Sequence, residues 1–245
     1  MIQELFIYHG TGTDPYENLA TEKQLLDRVR PGQCILYLWQ NRNTVVIGRN
    51  QNAWAECRTA LLEQEGVRLA RRLSGGGAVF HDMGNLNFTF CLCREDYDLN
   101  RQFSVIQKAC SLVGISVEVS GRNDLLADGR KFSGNAFYQD KLHAYHHGTL
   151  MVAVDTDRLG RYLSPSPAKL QAKGVASVRS RVVNLRELAP ELTIEKMKDY
   201  MQEAFSQVYG LSPAPVQLQE TELGQIQKTA REYAAWEYLY GTPLP

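Results

Sequence analysis

The 245-residue chain has no excess of either charge, no long apolar run and no C-x-x-C pair. Its 27 lysines and arginines equal its 27 aspartates and glutamates, which argues against binding nucleic acid through a general basic excess. No run of about 18 apolar residues occurs, and this excludes a helix that spans a membrane. The amino terminus has neither the basic nor the apolar part of a secretory signal. We therefore expect a cytoplasmic protein without a nucleic-acid or membrane partner.

Cysteine and histidine do not form a zinc site of the usual spacing. The five cysteines are an odd number without a C-x-x-C pair, so we expect reduced, buried thiols. His143, His146 and His147 are the alternative candidates for a metal site. In a strand, His146 faces away from the other two, and no cysteine or carboxylate completes a set of ligands. We therefore predict no dedicated protein cage for a metal ion.

The glycine-rich stretch RRLSGGGAVFHD at 71–82 is the most informative part of the sequence. It has neither the Lys-Ser/Thr end of a P-loop nor the G-x-G-x-x-G spacing of a dinucleotide fold. Glycine lets backbone N–H groups approach a ligand, and Arg71 and Arg72 supply charges that suit phosphate or carboxylate. The stretch predicts a loop that holds an anion. A plain glycine turn with two solvated arginines explains the same local pattern.

Hydrophobic periodicity predicts an α+β fold with a mixed, mostly antiparallel sheet and flanking helices. Residues 86–93 alternate as in a half-buried strand. The polar residues 40–43 lie between the β-rich runs 34–39 and 44–47 and predict a hairpin. Asp128-Gly129 predicts a two-residue turn. The other predicted strands are 4–8, 67–71, 115–119, 124–127, 130–133, 136–138, 142–145 and 149–154, and the predicted helices are 16–30, 58–65, 103–113, 155–162, 193–209 and 220–240.

Two further basic segments are candidates for the same anion site. Lys131 follows the predicted turn and precedes small residues at 134 and 136, which leaves room for a ligand beside its ammonium group. The basic segment 169–184 has weak periodicity and predicts a long loop that closes over an anion. The alternatives are an exposed strand lysine and a solvated surface loop.

Five motifs in this order resemble the lipoate–protein ligase family. They are RRLSGGGAVFHDMGNLN at 71–87, NDLLADGRKFSGNA at 123–136, HHGTL at 146–150, AKGVASVRSRVVNL at 172–185 and WEYLYG at 236–241. The resemblance implies a fold shared with biotin ligases and the catalytic domains of class II aminoacyl-tRNA synthetases. It implies that lipoate and ATP, with Mg²⁺, give lipoyl-AMP and pyrophosphate. The lipoyl group then passes to a lysine of an acceptor, either the lipoyl domain of a 2-oxoacid dehydrogenase E2 subunit or the glycine cleavage H protein.

The resemblance also implies the roles of particular residues. Lys131 would be the catalytic residue, and Mg²⁺ would come with ATP and lie near Asp124. The segment 169–184 would be the adenylate-binding loop. The residues implied to bind ATP and lipoyl-AMP are Arg72, Ser74, Gly75, Gly76, Gly77, Ala78, Val79, Phe80, His81, Asn87, Asp124, Lys131, Gly134, Ala136, His147, Lys173 and Val178.

The sequence departs from the family pattern at two points. We expect one catalytic domain over residues 1–245, without the accessory domain that commonly follows it. Three explanations stay open: a separate accessory protein is a partner, the accessory part is dispensable, or the gene product is longer than this chain. Asn135 stands where a serine is more usual. Three other functions stay open at this point: octanoyl transfer through a cysteine thioester, lipoyl transfer from preformed lipoyl-AMP, and lipoate binding without catalysis. The absence of cysteine from 121–136 counts against the first, and Lys131 counts against the last.

Overall fold

The structure, a computed structural model, describes residues 1–121, 123–164 and 182–241. Its strands form one sheet of eight strands and one of three. The strands are β1 (Glu4–His9), β2 (Gln33–Trp39), β3 (Thr44–Ile47), β4 (Arg68–Arg71), β5 (Val79–His81), β6 (Asn85–Cys93), β7 (Glu118–Ser120), β8 (Asp124–Ala127), β9 (Arg130–Gln139), β10 (His143–Met151) and β11 (Ala214–Pro215).

The large sheet has the strand order β11-β1-β2-β6-β10-β9-β8-β7, and the small sheet has the order β4-β3-β5. In the large sheet, β1 is parallel to β2 and to β11, and the other neighbouring pairs are antiparallel. In the small sheet, β3 is parallel to β4 and antiparallel to β5. The predicted mixed, mostly antiparallel sheet is therefore confirmed.

Helices cover both faces of the large sheet. Helices α4 (Leu99–Ser111) and α7 (Ile194–Tyr209) pack on one face, while α1 (Pro15–Arg28) and α8 (Glu220–Ala234) pack on the other. The small sheet has its own apolar cluster with the short helices Ala53–Glu56, Thr59–Gln64, Thr156–Tyr162 and Trp236–Tyr240. No helix of the described ranges is long and apolar enough to cross a membrane. The helices are α1 (Pro15–Arg28), α2 (Ala53–Glu56), α3 (Thr59–Gln64), α4 (Leu99–Ser111), α5 (Thr156–Tyr162), α6 (Leu185–Leu188), α7 (Ile194–Tyr209), α8 (Glu220–Ala234) and α9 (Trp236–Tyr240).

Strand β6 is buried along its whole length, although its alternating sequence predicts a strand that is buried on one face only. Phe88 and Phe90 pack toward α4 and α7. On the opposite face, Thr89 and Asn87 are equally inaccessible, and Thr89 donates a hydrogen bond to Glu22 of α1. Alternating polar residues in a fully buried strand therefore face a polar interior surface, which in this protein is the floor of the functional site.

Other predicted elements differ from the structure in three places. The runs 34–39 and 44–47 do not form a hairpin, because β2 joins the large sheet and β3 the small one. The short strands predicted over 130–138 and 142–154 are two long strands, β9 and β10. The helix predicted over 220–240 is interrupted at Ala235, whose ψ of 142° is extended. The Asp128-Gly129 turn is confirmed, with φ values of 51° and 69°.

Candidate active site

A pocket of about 400 Å³ opens where the α1 face of the large sheet meets the small sheet. Strand register builds its floor, because Trp39, Asn87 and Thr149 lie side by side on β2, β6 and β10. Leu19 of α1 and Val46 of β3 add apolar side chains. The residues that line the pocket are Leu19, Trp39, Val46, Arg72, Gly76, Gly77, Ala78, Val79, His81, Asn87, Asn123, Asp124, Lys131, Gly134, Asn135, Ala136, His147, Gly148 and Thr149.

Arg72 shapes the glycine loop from inside. Its Nε donates to Ser74 Oγ at 3.0 Å, and its Nη2 donates to the carbonyl oxygens of Gly75 and Gly77 at 2.7 and 2.8 Å. Its Nη1 donates to the Val46 carbonyl at 3.2 Å. Burial lowers the pKa of Arg72 to about 10, so the guanidinium remains charged at neutral pH. Much of its hydrogen-bonding capacity therefore holds the loop, and a direct contact with nucleotide stays a prediction.

Arg71 points the other way from Arg72 and joins the carboxyl-terminal helix to a second loop. Its side chain is buried, with 3% of its surface exposed. Because every guanidinium N–H is a donor, one side chain binds several carbonyl groups at once. The acceptors, at 2.6 to 3.3 Å, are the carbonyl oxygens of Gly48, Arg49, Gln51, Tyr238 and Leu239. The prediction that both arginines face one anion is therefore wrong for Arg71.

Lys131 and Asp124 form an ion pair at the open side of the pocket. Lys131 Nζ lies 2.7 Å from Asp124 Oδ1, and both side chains are more than a third exposed. A Cβ at position 134 would lie 3.1 Å from Lys131 Nζ, so Gly134 leaves the ammonium group room to move. The N–H of Val183 donates to the Lys131 carbonyl at 2.9 Å, which brings the end of the segment 169–184 beside the lysine.

A buried chain of hydrogen bonds connects α1 to the glycine loop below the pocket floor. Glu22 Oε1 accepts from Thr89 Oγ1 at 2.7 Å and lies 2.8 Å from His147 Nδ1. His147 Nε2 lies 2.7 Å from Ser74 Oγ, which also accepts from Arg72. Ser74 is 1% exposed, so its hydroxyl is a structural link between the sheet and the loop.

His146 lies on the opposite face of β10 from His147, as the alternation predicts. Four phenylalanine rings surround it at 5.1 to 5.8 Å, and burial lowers its pKa well below the ordinary value. Its Nε2 lies 2.7 Å from Asn135 Oδ1, and its Nδ1 lies 3.0 Å from Gln102 Oε1. No group of three potential metal ligands forms in the described part of the chain.

The structure brings most of the predicted residues into one pocket. Ser74 and Gly75 lie behind the pocket wall, and the Phe80 ring packs against Tyr162 with the ring centroids 5.1 Å apart. Lys173 and Val178 lie outside the described residues. The predicted residues that line the pocket are Arg72, Gly76, Gly77, Ala78, Val79, His81, Asn87, Asp124, Lys131, Gly134, Ala136 and His147.

Sequence reasoning missed the residues that reach the pocket from distant elements. Leu19, Trp39 and Val46 belong to ordinary apolar patterns, so no local signal separates them from core residues. The quoted motifs contain four more of the missed residues, Asn123, Asn135, Gly148 and Thr149. Their place in those motifs was the signal that could have identified them. Asn123 and Asn135 bind each other's backbone: each Nδ2 donates to the partner's carbonyl oxygen at 3.0 Å.

Known proteins share both the sequence and the fold. Residues 14–206 match the family model described as lipoyl protein ligase A/B catalytic domain. The chain is 44% identical over 250 residues to a lipoate-protein ligase A of Bdellovibrio bacteriovorus, covering 99% of this chain and 74% of that protein. A bi-partite lipoate protein ligase of Thermoplasma acidophilum superposes with a TM-score of 0.87 at 24% identity, covering 100% and 98% of the two chains. A lipoate-protein ligase A bound with ATP superposes with a TM-score of 0.84 at 23% identity, covering 99% and 100%. The chain therefore belongs to the lipoyl protein ligase A/B catalytic domain family.

Proposed function

We propose that this protein activates lipoate with ATP and transfers the lipoyl group to a lysine of acceptor proteins. The observation that carries the proposal is the meeting of Lys131, the glycine loop and the polar floor of β6 and β10 in one pocket. A relative that is 44% identical over nearly the whole chain is named lipoate-protein ligase A. The acceptors would be lipoyl domains of E2 subunits and the glycine cleavage H protein.

Lys131 is well placed to stabilise the developing charge of both half-reactions. A carboxylate and an α-phosphate repel each other, and a cation between them offsets that repulsion as the mixed anhydride forms. When the acceptor amine attacks the carbonyl carbon, negative charge develops on the carbonyl oxygen and AMP leaves. The same ammonium group stabilises that charge. Gly134 and the ion pair with Asp124 position the lysine while leaving it partly exposed.

The two ends of the pocket suit the two parts of an acyl-adenylate. Leu19, Trp39 and Val46 are at most 3% exposed and form an enclosed end that suits an acyl chain. Gly76 and Gly77 supply a wall without side chains, against which the nucleotide can lie. The anhydride would then lie at Lys131, and positioning of the two substrates accounts for much of the rate enhancement.

Magnesium would enter this site with the triphosphate. Asp124 is the carboxyl group nearest to Lys131, and one carboxylate together with phosphate oxygens is the usual coordination of Mg²⁺ at nucleotide sites. The ion would neutralise charge on the pyrophosphate that leaves. The residues present fit a metal ion carried by substrate.

Transfer through a cysteine thioester is not favoured. All five cysteines are buried, and none lines the pocket. Burial raises the pKa of each thiol, in Cys57 and Cys110 to about 12, which leaves almost no thiolate at neutral pH. Free thiols are also typical of a reducing compartment, and we propose that the protein acts in the cytoplasm.

The direct test measures the two half-reactions separately. Lipoate-dependent exchange of pyrophosphate into ATP reports activation, and lipoylation of an apo lipoyl domain from synthetic lipoyl-AMP reports transfer. We expect activity in both assays. Transfer alone would indicate that activation needs an accessory protein, and absence of both would support a lipoate-binding protein without catalysis.

Replacing Lys131 with alanine should reduce both half-reactions by at least about 100-fold, because the only proposed bridging cation is lost. The thermal unfolding midpoint should stay close to that of the wild type, since the ion pair with Asp124 is partly exposed. Lys108→Ala, on the exposed surface of α4, is the matched control. Transfer by Lys131→Ala at a rate near that of the wild type would contradict the mechanism.

A further inference from the structure

Two hydrogen-bond donors at the enclosed end of the pocket have no partner within the described structure. They are His81 Nε2 and Asn87 Nδ2. Both residues line the pocket, and their side chains are buried, with 4% and 1% of the residue surface exposed. Buried donors are nearly always paired in folded proteins, and an unpaired one is costly. Acceptor atoms of a bound ligand would give both donors a hydrogen-bond partner.

The protonation of His81 follows from a chain of side-chain hydrogen bonds. Tyr37 donates to Asn18 Oδ1 at 3.1 Å, and Asn18 Nδ2 donates to Asn41 Oδ1 at 2.9 Å. The side-chain nitrogen of Asn41, Nδ2, then donates to His81 Nδ1 at 3.2 Å. Burial, with Arg72 and His147 nearby, lowers the pKa of His81 to about 3, so the ring is neutral. A neutral imidazole that accepts at Nδ1 carries its proton on Nε2 and donates there.

Asn87 is oriented in a similar way. Its Oδ1 accepts from Asn85 Nδ2 at 2.9 Å, which leaves its own Nδ2 as the unpaired group. Asn87 lies on β6, two strands from β9, which carries Lys131 and Gly134. Since strands are about 4.8 Å apart, the amide is about 10 Å from the strand that holds the cation.

The two donors therefore serve the part of a ligand that is remote from its anionic group. Trp39 joins them: it is the β2 neighbour of Asn87, and its ring packs edge-on against His81 with the ring centroids 6.4 Å apart. A ligand whose carboxyl group is at Lys131 would place the far end of its acyl chain in this region. A saturated chain would cover both donors and offer them nothing in return.

We propose that His81 and Asn87 select acyl groups with sulfur at the far end of the chain over unsubstituted fatty acyl groups. The proposal rests on the proposed function and names its substrate class. Sulfur is a weak acceptor and can accept weak hydrogen bonds from the two donors. An alkyl end displaces water from the same donors and offers them no acceptor. Lipoate would bind with this advantage, and octanoate, of the same main-chain length, would bind without it.

The test compares kcat/KM for lipoate and octanoate in the pyrophosphate exchange assay. The wild type should favour lipoate by about tenfold or more. Asn87→Leu and His81→Phe keep the approximate side-chain shape and remove the unpaired donor, together with the acceptor that Asn85 or Asn41 uses. Each should lower the ratio of lipoate to octanoate by about fivefold. Tyr97→Phe is the matched control. It removes another buried hydroxyl without a partner, but one that does not line the pocket, and the ratio should not change.

Failure of this inference is distinct from failure of the proposed function. If the wild type uses both acids equally well, or if Asn87→Leu retains the wild-type ratio, the selection by these donors is wrong while ligation stands. If His81→Phe does not fold, Asn87→Leu decides. If neither acid supports exchange, calorimetric binding of lipoate and octanoate to the wild type and to Asn87→Leu still gives the ratio of affinities, and an unchanged ratio overturns the proposal.

Discussion

Arg71 and Arg72 are adjacent in the sequence but bind different parts of the structure. Alternation at the end of β4 sends Arg71 toward α9 and Arg72 toward the glycine loop. The sequence shows two cations, and it does not show that most of their N–H groups are used on backbone carbonyls. A buried guanidinium needs such acceptors, and they come from residues up to 168 positions away, which local patterns do not reveal. Lys131, by contrast, is partly exposed and lies in a recognisable motif.

Acid should destabilise the protein through its buried histidines. Burial lowers the pKa of His81 to about 3 and that of His146 well below the ordinary value of about 6.5. The stability due to the neutral rings is complete above pH 6.5. It is lost as the pH falls, because the unfolded chain then binds protons that the folded chain excludes. The His81 ring should account for about 2 kcal/mol between pH 7 and pH 5, and His146 should act in the same direction.

Urea unfolding of the wild type and of His146→Gln at pH 7 and pH 5 measures this effect. The variant lacks one titrating group, so its free energy of unfolding should fall less than that of the wild type over this interval. A difference at pH 7 alone would report lost packing. Equal pH dependence of the two proteins would show that His146 takes up protons alike in the folded and unfolded states, which would contradict the lowered pKa.

At the scale of elements, the three glycines of the loop meet different constraints. Gly76 has a φ of 94°, and a Cβ there would lie 2.9 Å from Arg72 Nη2, so the fold itself requires glycine. Nothing lies within 4 Å of a Cβ built at Gly75 or Gly77. The sequence predicts the loop but not this division, because the requirement at Gly76 depends on where the arginine folds. Space beside Gly77, which lines the pocket, is available to a ligand.

Alanine substitutions should separate these constraints. Gly76→Ala should lower the free energy of unfolding by about 1–3 kcal/mol, because its backbone conformation is strained for any other residue. Gly77→Ala should change stability by less than about 0.5 kcal/mol. It should nevertheless reduce kcat/KM for ATP by about 10- to 100-fold, since a methyl group displaces the nucleotide from the wall. Urea unfolding and pyrophosphate exchange provide the two readouts.

Gly224→Ala in α8 is the control for these variants. No atom lies within 4 Å of a Cβ at this helical position, so alanine should stabilise the helix by about 0.5–1 kcal/mol with unchanged activity. If Gly77→Ala behaves like Gly224→Ala in both assays, the glycine loop does not contact the nucleotide at residue 77.

At the scale of the whole molecule, the pocket depends on contacts that cross between the two sheets. The mixed sheet was predicted from hydrophobic periodicity and the family from five spaced motifs, and both predictions are confirmed. The allocation of β2 and β3 to different sheets was not predicted, because a short polar connection between two β-rich runs is typical of a hairpin. Because β2 and β3 belong to different sheets, Trp39 and Val46 approach the same pocket from the two sheets.

Loss of the Arg71 guanidinium should loosen the packing of α9 against the rest of the protein. Arg71→Met retains an unbranched side chain but no donors, and several buried carbonyl groups lose their partner. The free energy of unfolding should fall by about 3 kcal/mol or more. Arg68→Met on the same strand removes a partly exposed ion pair with Asp14 and should cost at most about 1 kcal/mol. Equal losses in urea unfolding would mean that Arg71 contributes no more than a surface charge.

The chain has three tryptophans, and their positions divide them between two regions. Trp39 lies in the enclosed end of the pocket. Trp54 and Trp236 are 57% and 60% exposed, and each packs against Tyr240, at centroid distances of 4.9 and 5.7 Å. Replacing the outer pair with phenylalanine leaves one indole whose fluorescence responds to water leaving the pocket. Replacing Trp39 instead leaves fluorophores that sense whether α9 is seated. The protein thus carries separate intrinsic optical reporters of occupancy and of carboxyl-terminal docking.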